Sequence, residues 1–143
     1  MARVKLIIIT LLCAVILTGC ASGFYINGEK YPLKIDYDLS VLITANAYDT
    51  LYNMVYLPVL YEGSTVYIDG TIIRPDGEED LYCFIYNSSK TSAIGIRLEF
   101  MENALEPIEG TDTIITGTVA SIDRDGYLVG YLKDAISWVP SDK

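Results

Sequence analysis

The sequence predicts a mainly β fold, a small five-stranded barrel with one N-terminal helix packed on it. Three observations support this prediction. Residues 44–57 show helical periodicity, and from Gly63 onward apolar residues alternate with polar ones, as in half-buried strands. A strand-like phrase also occurs twice, at 61–73 and 108–120, with glycines at matching places.

The predicted helix covers residues 44–57, TANAYDTLYNMVYL. Thr44 is the expected N-cap, because its hydroxyl can accept a hydrogen bond from a free N–H of the first turn. Pro58 ends the helix. Residues at i, i+3, i+4 and i+7 form an apolar stripe that is expected to face the barrel: Tyr48, Leu51, Tyr52 and Val55.

Five strands are predicted after the helix. The first follows Gly63, and the others cover 81–86, 93–100, 112–122 and 127–139. Turn-forming residues separate them, notably the acidic PDGEED at 75–80 and DRDG at 123–126. Met101 to Pro107 is interpreted as a connector with one helical turn.

The doubled phrase reads YEGSTVYIDGTII in one copy and IEGTDTIITGTVA in the other. Gly63 and Gly110 are turn glycines, whereas Gly70 and Gly117 fall inside strands. A glycine inside a strand weakens it and usually marks a bend, a bulge or a close approach of backbone. We therefore interpret the copies as two bent strands of one barrel that share a core, in which Val66, Ile68 and Ile72 are expected to pack with Ile115 and Val119. A duplicated domain is the less favoured reading, because the residues between the copies do not recur.

These strands resemble an OB-fold, the five-stranded, partly open Greek-key barrel. The resemblance covers about residues 42–139 and rests on the patterns G-x-x-V-x-I-x-G-T-I from Gly63 and G-x-x-x-x-x-x-G-T-V from Gly110. With YNM at 52–54, Pro58 and YEGSTV at 61–66, the chain is similar to uncharacterised bacterial OB-fold lipoproteins of the tRNA-anti-like kind. Many of those relatives have adjacent cysteines where this chain has 92–95, so no metal or redox role is carried over.

The N-terminus reads as a secretion signal that ends in a lipobox. Basic residues precede an apolar run from Leu6 to Leu17, which is shorter than the roughly 20 residues of a membrane-spanning helix. Leu17-Thr18-Gly19-Cys20 resembles the lipobox of bacterial lipoproteins, which implies cleavage before Cys20 and acylation of its thiol. The alternative is an ordinary signal peptide in which Cys20 is incidental.

The predicted organisation has three parts. Residues 1–19 are the signal peptide, and 20–38 form the lipidated N-terminus with a short connection and a hairpin at Asn27-Gly28. Residues 39–140 form the OB-fold-like domain, including the helix.

Charge argues against nucleic acid as a partner. The chain of 143 residues has 10 basic and 19 acidic residues. Removal of Arg3 and Lys5 with the signal leaves eight basic residues and a net charge of about −11. A surface this acidic lacks the basic footprint that phosphate backbones require.

The chemistry of the residues favours a protein that is not an enzyme. The sequence contains no histidine, which removes the commonest general base and zinc ligand. After processing, Cys83 is the free thiol that remains, and an apolar strand suggests a small buried side chain. Asp123-x-Asp125-Gly126 begins like a calcium loop but lacks its later ligands, so a solvated turn is favoured. We expect no cofactor and no metal.

A candidate binding face follows from alternation on the second strand. With Leu81, Cys83 and Ile85 facing the core, the aromatic residues between them face outward. The candidate ligand-binding residues are Tyr67 on strand one, Tyr82, Phe84 and Tyr86 on strand two, and Arg97 on strand three. OB-folds bind oligosaccharides and oligonucleotides on this face. The alternative is that these side chains pack under the N-terminal segment or the helix.

The leading hypothesis is a membrane-anchored, extracytoplasmic lipoprotein that acts as a non-enzymatic OB-fold binding module. Its expected partners are the bilayer, through acylated Cys20, and a small ligand, oligosaccharide, peptide or envelope protein. The expected location is the bacterial cell membrane, or the outer membrane in a host with two membranes. The alternative function is an accessory subunit of an envelope complex or transporter that docks through its sheet surface.

Overall fold

The computed structural model describes residues 34–138 and the backbone of two strands before them, β1 (Gly23–Ile26) and β2 (Glu29–Pro32). Residues 1–34 and 35–143 form two compact units. In the first unit β1 and β2 pair antiparallel, with Ile26 opposite Glu29, which confirms the predicted hairpin. The predicted signal peptide, Cys20 and the Asn27-Gly28 turn lie outside the described residues.

The second unit is the barrel. Its elements are β3 (Tyr37–Asp38), α1 (Thr44–Tyr56), a 3-10 turn (Pro58–Leu60), β4 (Thr65–Ile73), β5 (Tyr82–Tyr86), β6 (Ala93–Phe100), β7 (Asp112–Arg124) and β8 (Tyr127–Trp138). Hydrogen-bonded neighbours run β4-β5-β6-β8-β7, and pairing of β7 with β4 closes the ring. The β6–β8 pair is parallel and the other ring pairs are antiparallel. This arrangement confirms the predicted fold, a mainly β OB-fold-like barrel with one helix.

The barrel core is built from alternate residues along β4 and β5, as the period of two predicts, whereas the core residues of β8, Leu132 and Ala135, are three apart at a shift of register. On β4 and β7 the predicted core residues Val66, Ile68, Ile72, Ile115 and Val119 are at most 1% exposed and belong to one cluster, which confirms that prediction. Outside the ring, β3 lies parallel to the first half of β4.

The doubled phrase turns out to be one symmetric pair of strands. β4 and β7 run antiparallel, and Ile68 lies opposite Ile115, its counterpart in the other copy. A register centred on two equivalent residues relates the copies by a local two-fold rotation. Each copy is therefore the other's partner in the ladder, and matching residues of the two copies occupy equivalent places in it.

The turn glycines complete this symmetry at both ends of the pair. Gly63 N–H donates to Val119 O at 2.9 Å, and Gly110 N–H donates to Ile72 O at 2.7 Å. Gly63 and Gly110 have φ of +81° and +84°, a region that glycine enters without the steric cost other residues meet.

The glycines inside the strands mark close approach and a bulge. At Gly70 a side chain would lie 2.6 Å from Phe84 O and 2.7 Å from Cys83 Sγ, where β4 passes from pairing with β7 to pairing with β5. Gly117 lies at a shift of register between β7 and β8, between Thr116 and Thr118. Both positions fit the expected reasons for a glycine within a strand.

Helix α1 closes over the barrel with a stripe that differs from the predicted one. Its buried residues are Ala47, Leu51, Met54 and Val55. The inclusion of Tyr52 was wrong, because this side chain is exposed, and Tyr48 is only partly buried. The stripe is rotated toward Met54 because the helix backbone lies directly on Gly130 of β8.

The ends of two elements also differ from the predictions. Thr44 is not the N-cap; Ile43 takes that position in an extended conformation, and no side chain caps the helix. The connector after β6 contains a turn but no helix. Among the described residues, no helix has the length and apolar character needed to cross a membrane.

Candidate functional site

The outward face of β5 and β6 carries most of the predicted binding residues. Tyr82, Phe84 and Tyr86 alternate with the buried Leu81, Cys83 and Ile85, so the aromatic side chains point away from the core. Their neighbours across the ladder, in the same order, are Arg97, Gly95 and Ala93. Small residues on β6 therefore leave space beside the aromatic residues of β5.

Phe84 fills part of this space. A Cβ placed on Gly95 would lie 2.6–2.8 Å from three atoms of the Phe84 ring, so the ring lies flat over the glycine. The Tyr82 ring follows at a centroid distance of 6.2 Å and an interplanar angle of 39°. The two rings form a short aromatic platform across β5 and β6.

Arg97 forms the polar edge of the platform. Its guanidinium carbon lies 4.5 Å from the centroid of the Tyr131 ring on β8, a cation–π contact. Asp80 accepts a hydrogen bond from Arg97 at 3.1 Å, and Glu99 lies 3.9 Å away. The side chain is only 15% exposed, and its Nε has no hydrogen-bond partner among the described residues.

The far end of β7 reaches the same face. Arg124 pairs with Glu78 of the β4–β5 loop at 3.5 Å, and both side chains lie near the Tyr82 hydroxyl. Burial raises the pKa of Tyr82; the nearby Arg124 opposes this effect and Glu78 adds to it. Tyr82 thus stays a neutral hydroxyl that can donate or accept a hydrogen bond at physiological pH.

Of these groups, Tyr82, Arg97 and Arg124 line a partly open groove of about 270 Å³ on the outside of the barrel. Its lining comes from five elements: Val55 and Tyr56 of α1, Tyr82 of β5, Gly95 and Arg97 of β6, Ile122 and Arg124 of β7, and Val129 and Gly130 of β8. Apolar walls with a few fixed polar groups are the usual make-up of a small-ligand site.

Tyr67 does not lie beside the other predicted residues. On β4 the residues opposite Tyr82 and Phe84 are Ile73 and Thr71. Tyr67 instead lies opposite Thr116 of β7 and beside Asp38 of β3. The placement expected from the sequence was wrong because only the last three residues of β4, Thr71–Ile73, pair with β5, whereas β3 lies beside β4 at Val66 and Tyr67.

Two residues that line the groove, Arg124 and Tyr56, and the stacking partner of Arg97, Tyr131, were not predicted from the sequence. The alternation of β8 around buried Leu132 places Tyr131 outward, so that residue could have been found. Arg124 lay in a predicted solvated turn, and Tyr56 at the end of a helix. No local pattern indicates that either of them reaches β5.

The described residues contain no cluster of histidine, cysteine and acidic side chains that could hold a metal ion. The thiol of Cys83 is buried in the core, and burial, with smaller effects of Asp69 and Asp112, raises its pKa to about 12. A thiol that stays protonated at neutral pH is a poor nucleophile and metal ligand.

A second, larger cavity adjoins the groove. It measures about 630 Å³ and lies between residues 56–60 and the β7–β8 hairpin at 126–129. Tyr56 and Val129 line both cavities, so the groove and this apolar surface are continuous.

No family model, curated protein or solved structure matches the chain.

Proposed function

We propose that the protein is a lipid-anchored module on the extracytoplasmic face of a bacterial membrane that binds a ligand in the groove over β5 and β6. The observation that carries the proposal is the groove in which Tyr82, Arg97 and Arg124, from three strands, converge. The membrane anchor rests on the lipobox ending at Cys20.

The groups in the groove favour a neutral or mixed ligand, such as an oligosaccharide or a peptide. Both arginines are paired with carboxylates, Arg97 with Asp80 and Arg124 with Glu78, so little positive potential is left for a phosphate backbone. The aromatic platform offers flat apolar area, which suits sugar rings and apolar side chains.

Arg97 has a specific part in this proposal. The side chain lines the groove, and its buried Nε has no hydrogen-bond partner among the described residues, which costs about 1–3 kcal/mol. A ligand oxygen that reaches Nε would remove this cost, because it satisfies the donor. The side chain already stacks on Tyr131, so little rotamer freedom is lost on binding.

We propose binding without catalysis. The sequence contains no histidine, and the described carboxylates nearest the groove, Asp80 and Glu78, are engaged with arginines. The groove therefore presents hydrogen-bonding and stacking groups but no activated nucleophile.

The test is a titration of immobilised oligosaccharides and peptides with the protein and three alanine variants. Tyr82→Ala and Arg97→Ala should each weaken binding at least tenfold, about 1.4 kcal/mol. Tyr67→Ala is the matched control, because Tyr67 is an outward tyrosine of the same barrel away from the groove. The Tyr67→Ala variant should bind with the same affinity as the unsubstituted protein.

Circular dichroism of each variant verifies that the barrel remains folded. Equal affinity of Tyr82→Ala and the unsubstituted protein would refute the groove as the binding site. A single stoichiometric protein crosslinked in intact cells, with no ligand retained by the groove, would instead support an accessory subunit of an envelope complex.

A further inference from the structure

The surface beside the groove is unusually apolar for an acidic protein. Two chain segments far apart in sequence meet there, and six large side chains are between 48% and 76% exposed: Tyr56, Leu57, Val59, Leu60, Tyr127 and Leu128. At roughly 200 Å² per large side chain, they expose on the order of 700 Å². The largest patch of a typical monomer is about 300–600 Å², and larger ones mark contacts with proteins or membranes.

This apolar surface is also free of charge. The segments that form it, 50–61 and 126–132, contain no acidic or basic residue, although the chain has 29 of them. The acidic residues therefore lie outside these two segments, with Glu62 and Asp125 at their borders. Such a surface meets no electrostatic penalty at zwitterionic lipid, while an acidic surface is repelled by anionic headgroups.

The chain before the barrel limits how far this surface can be from the lipid anchor. In the β1–β2 hairpin, Gly23 lies opposite Pro32, so ten residues return the chain to within about 5 Å of its start. The remaining steps, from Cys20 to Gly23 and from Pro32 to Tyr37, span about 27 Å when fully extended. Acyl chains on Cys20 would therefore hold the start of the barrel within about 30 Å of the bilayer surface.

That reach is close to the size of the barrel itself, since a domain of about 100 residues has a radius of gyration of about 13 Å. A barrel held this closely touches the bilayer often, and the local concentration of lipid makes even a weak apolar contact effective. Tyrosines such as Tyr56 and Tyr127 suit this position, because the ring enters the apolar layer while the hydroxyl stays hydrated.

We propose that the surface formed by residues 56–60 and 127–128 rests on the bilayer to which the protein is anchored. The occupant is the headgroup and upper acyl region of a lipid monolayer. This inference rests on the proposed lipid anchor. It also sets the orientation of the protein, with the ligand groove opening at the membrane surface beside Tyr56.

The test uses the acylated protein in phosphatidylcholine vesicles, with a nitroxide label at Leu60→Cys. The label is selective, because Cys83 is buried with a pKa of about 12 and Cys20 carries lipid. Ser88→Cys is the matched control; it is an exposed position in the β5–β6 loop, and this loop meets the first turns of α1 through Ser92 and Tyr48. Vesicle flotation is measured first, and then the collision rates of each label with oxygen and with a water-soluble nickel complex.

The Leu60 label should show a ratio of oxygen to nickel collisions at least several times that of the Ser88 label. Equal, water-like ratios in protein that floats with vesicles would overturn the inference and leave the anchor intact. Magnetic broadening between Leu60 labels would overturn it in favour of a second copy of the chain. Protein that fails to float would refute the anchor itself, and the inference would fail with it.

Discussion

Gly130 of β8 determines how α1 sits on the barrel. A Cβ at this position would overlap the carbonyl oxygen of Met54 and lie 2.9 Å from its carbonyl carbon and 3.2 Å from Pro58 Cβ. The obstacle is helix backbone, which cannot rotate away as a side chain could. Gly130→Ala should therefore push the end of α1 off the barrel.

The cost can be worked out from what α1 buries. Overpacking a well-packed core costs about 1–3 kcal/mol. A shift of the helix also loosens Leu51 and Met54, both fully buried and worth about 1.5–3 kcal/mol each. Alanine also restricts the unfolded chain more than glycine does, which offsets about 0.4–1 kcal/mol of this loss of stability. We expect a net loss of about 3 kcal/mol or more, out of the roughly 5–15 kcal/mol of a typical domain.

Urea unfolding, monitored by the fluorescence of the single tryptophan, Trp138, gives the free energy of unfolding. Hydrogen exchange of the α1 amides shows whether the loss of stability is located in the helix. Gly126→Ala is the control on the same hairpin, since it has open space around it but a φ of +86°. It should cost about 1–2 kcal/mol and leave α1 exchange unchanged. The reasoning is refuted if Gly130→Ala is no more costly than this control, or if it leaves the α1 amides equally protected.

Three further predictions concern the core and the aromatic platform. Because the folded-state pKa of Cys83 is about 12 against 9.0 unfolded, its stabilisation is complete below pH 9 and is lost as the pH rises toward 12. Ionisation of the thiol in the unfolded chain should lower the free energy of unfolding by about 1.4 kcal/mol between pH 8 and pH 10. Urea titrations at the two pH values measure this decrease, and it should be smaller by that amount in Cys83→Ala. Gly95→Ala should displace the Phe84 ring, which is visible in the NMR signals of the ring. It should lower the free energy of unfolding by less than about 1.5 kcal/mol, because a side chain can move aside. A loss as large as that of Gly130→Ala would contradict this. A double-mutant cycle of Arg97→Met and Tyr131→Leu should show a coupling of about 0.5–1 kcal/mol, and a coupling near zero would show that the stacking does not stabilise the fold.

The contrast between Tyr82 and Tyr67 shows how far alternation along a strand can predict a site. A period of two determines which face a side chain occupies, and it correctly placed Tyr82, Phe84 and Tyr86 outward. It contains no information about which strand lies alongside. Tyr67 shares the outward direction but is separated from Tyr82, because only the last three residues of β4 pair with β5.

The same distinction applies to the groove as a whole. Arg124 and Tyr56 reach it from the end of β7 and from α1, and their contacts depend on barrel closure and on the helix resting against Gly130. These are long-range packing effects, which no window of local sequence contains.

By itself the sequence determined the fold class, the inward residues of β4, β5 and β7 and the turn glycines, because these follow from the local periods and the conformational range of glycine. It also showed the doubled phrase, but not how the two copies are arranged in the fold. Only the tertiary structure decided that the two copies are partners centred on Ile68 and Ile115, since pairing between distant strands is set by closure of the ring. Closure likewise decided that Arg97 stacks on Tyr131, and the docking of α1 decided that the groove adjoins an uncharged apolar surface.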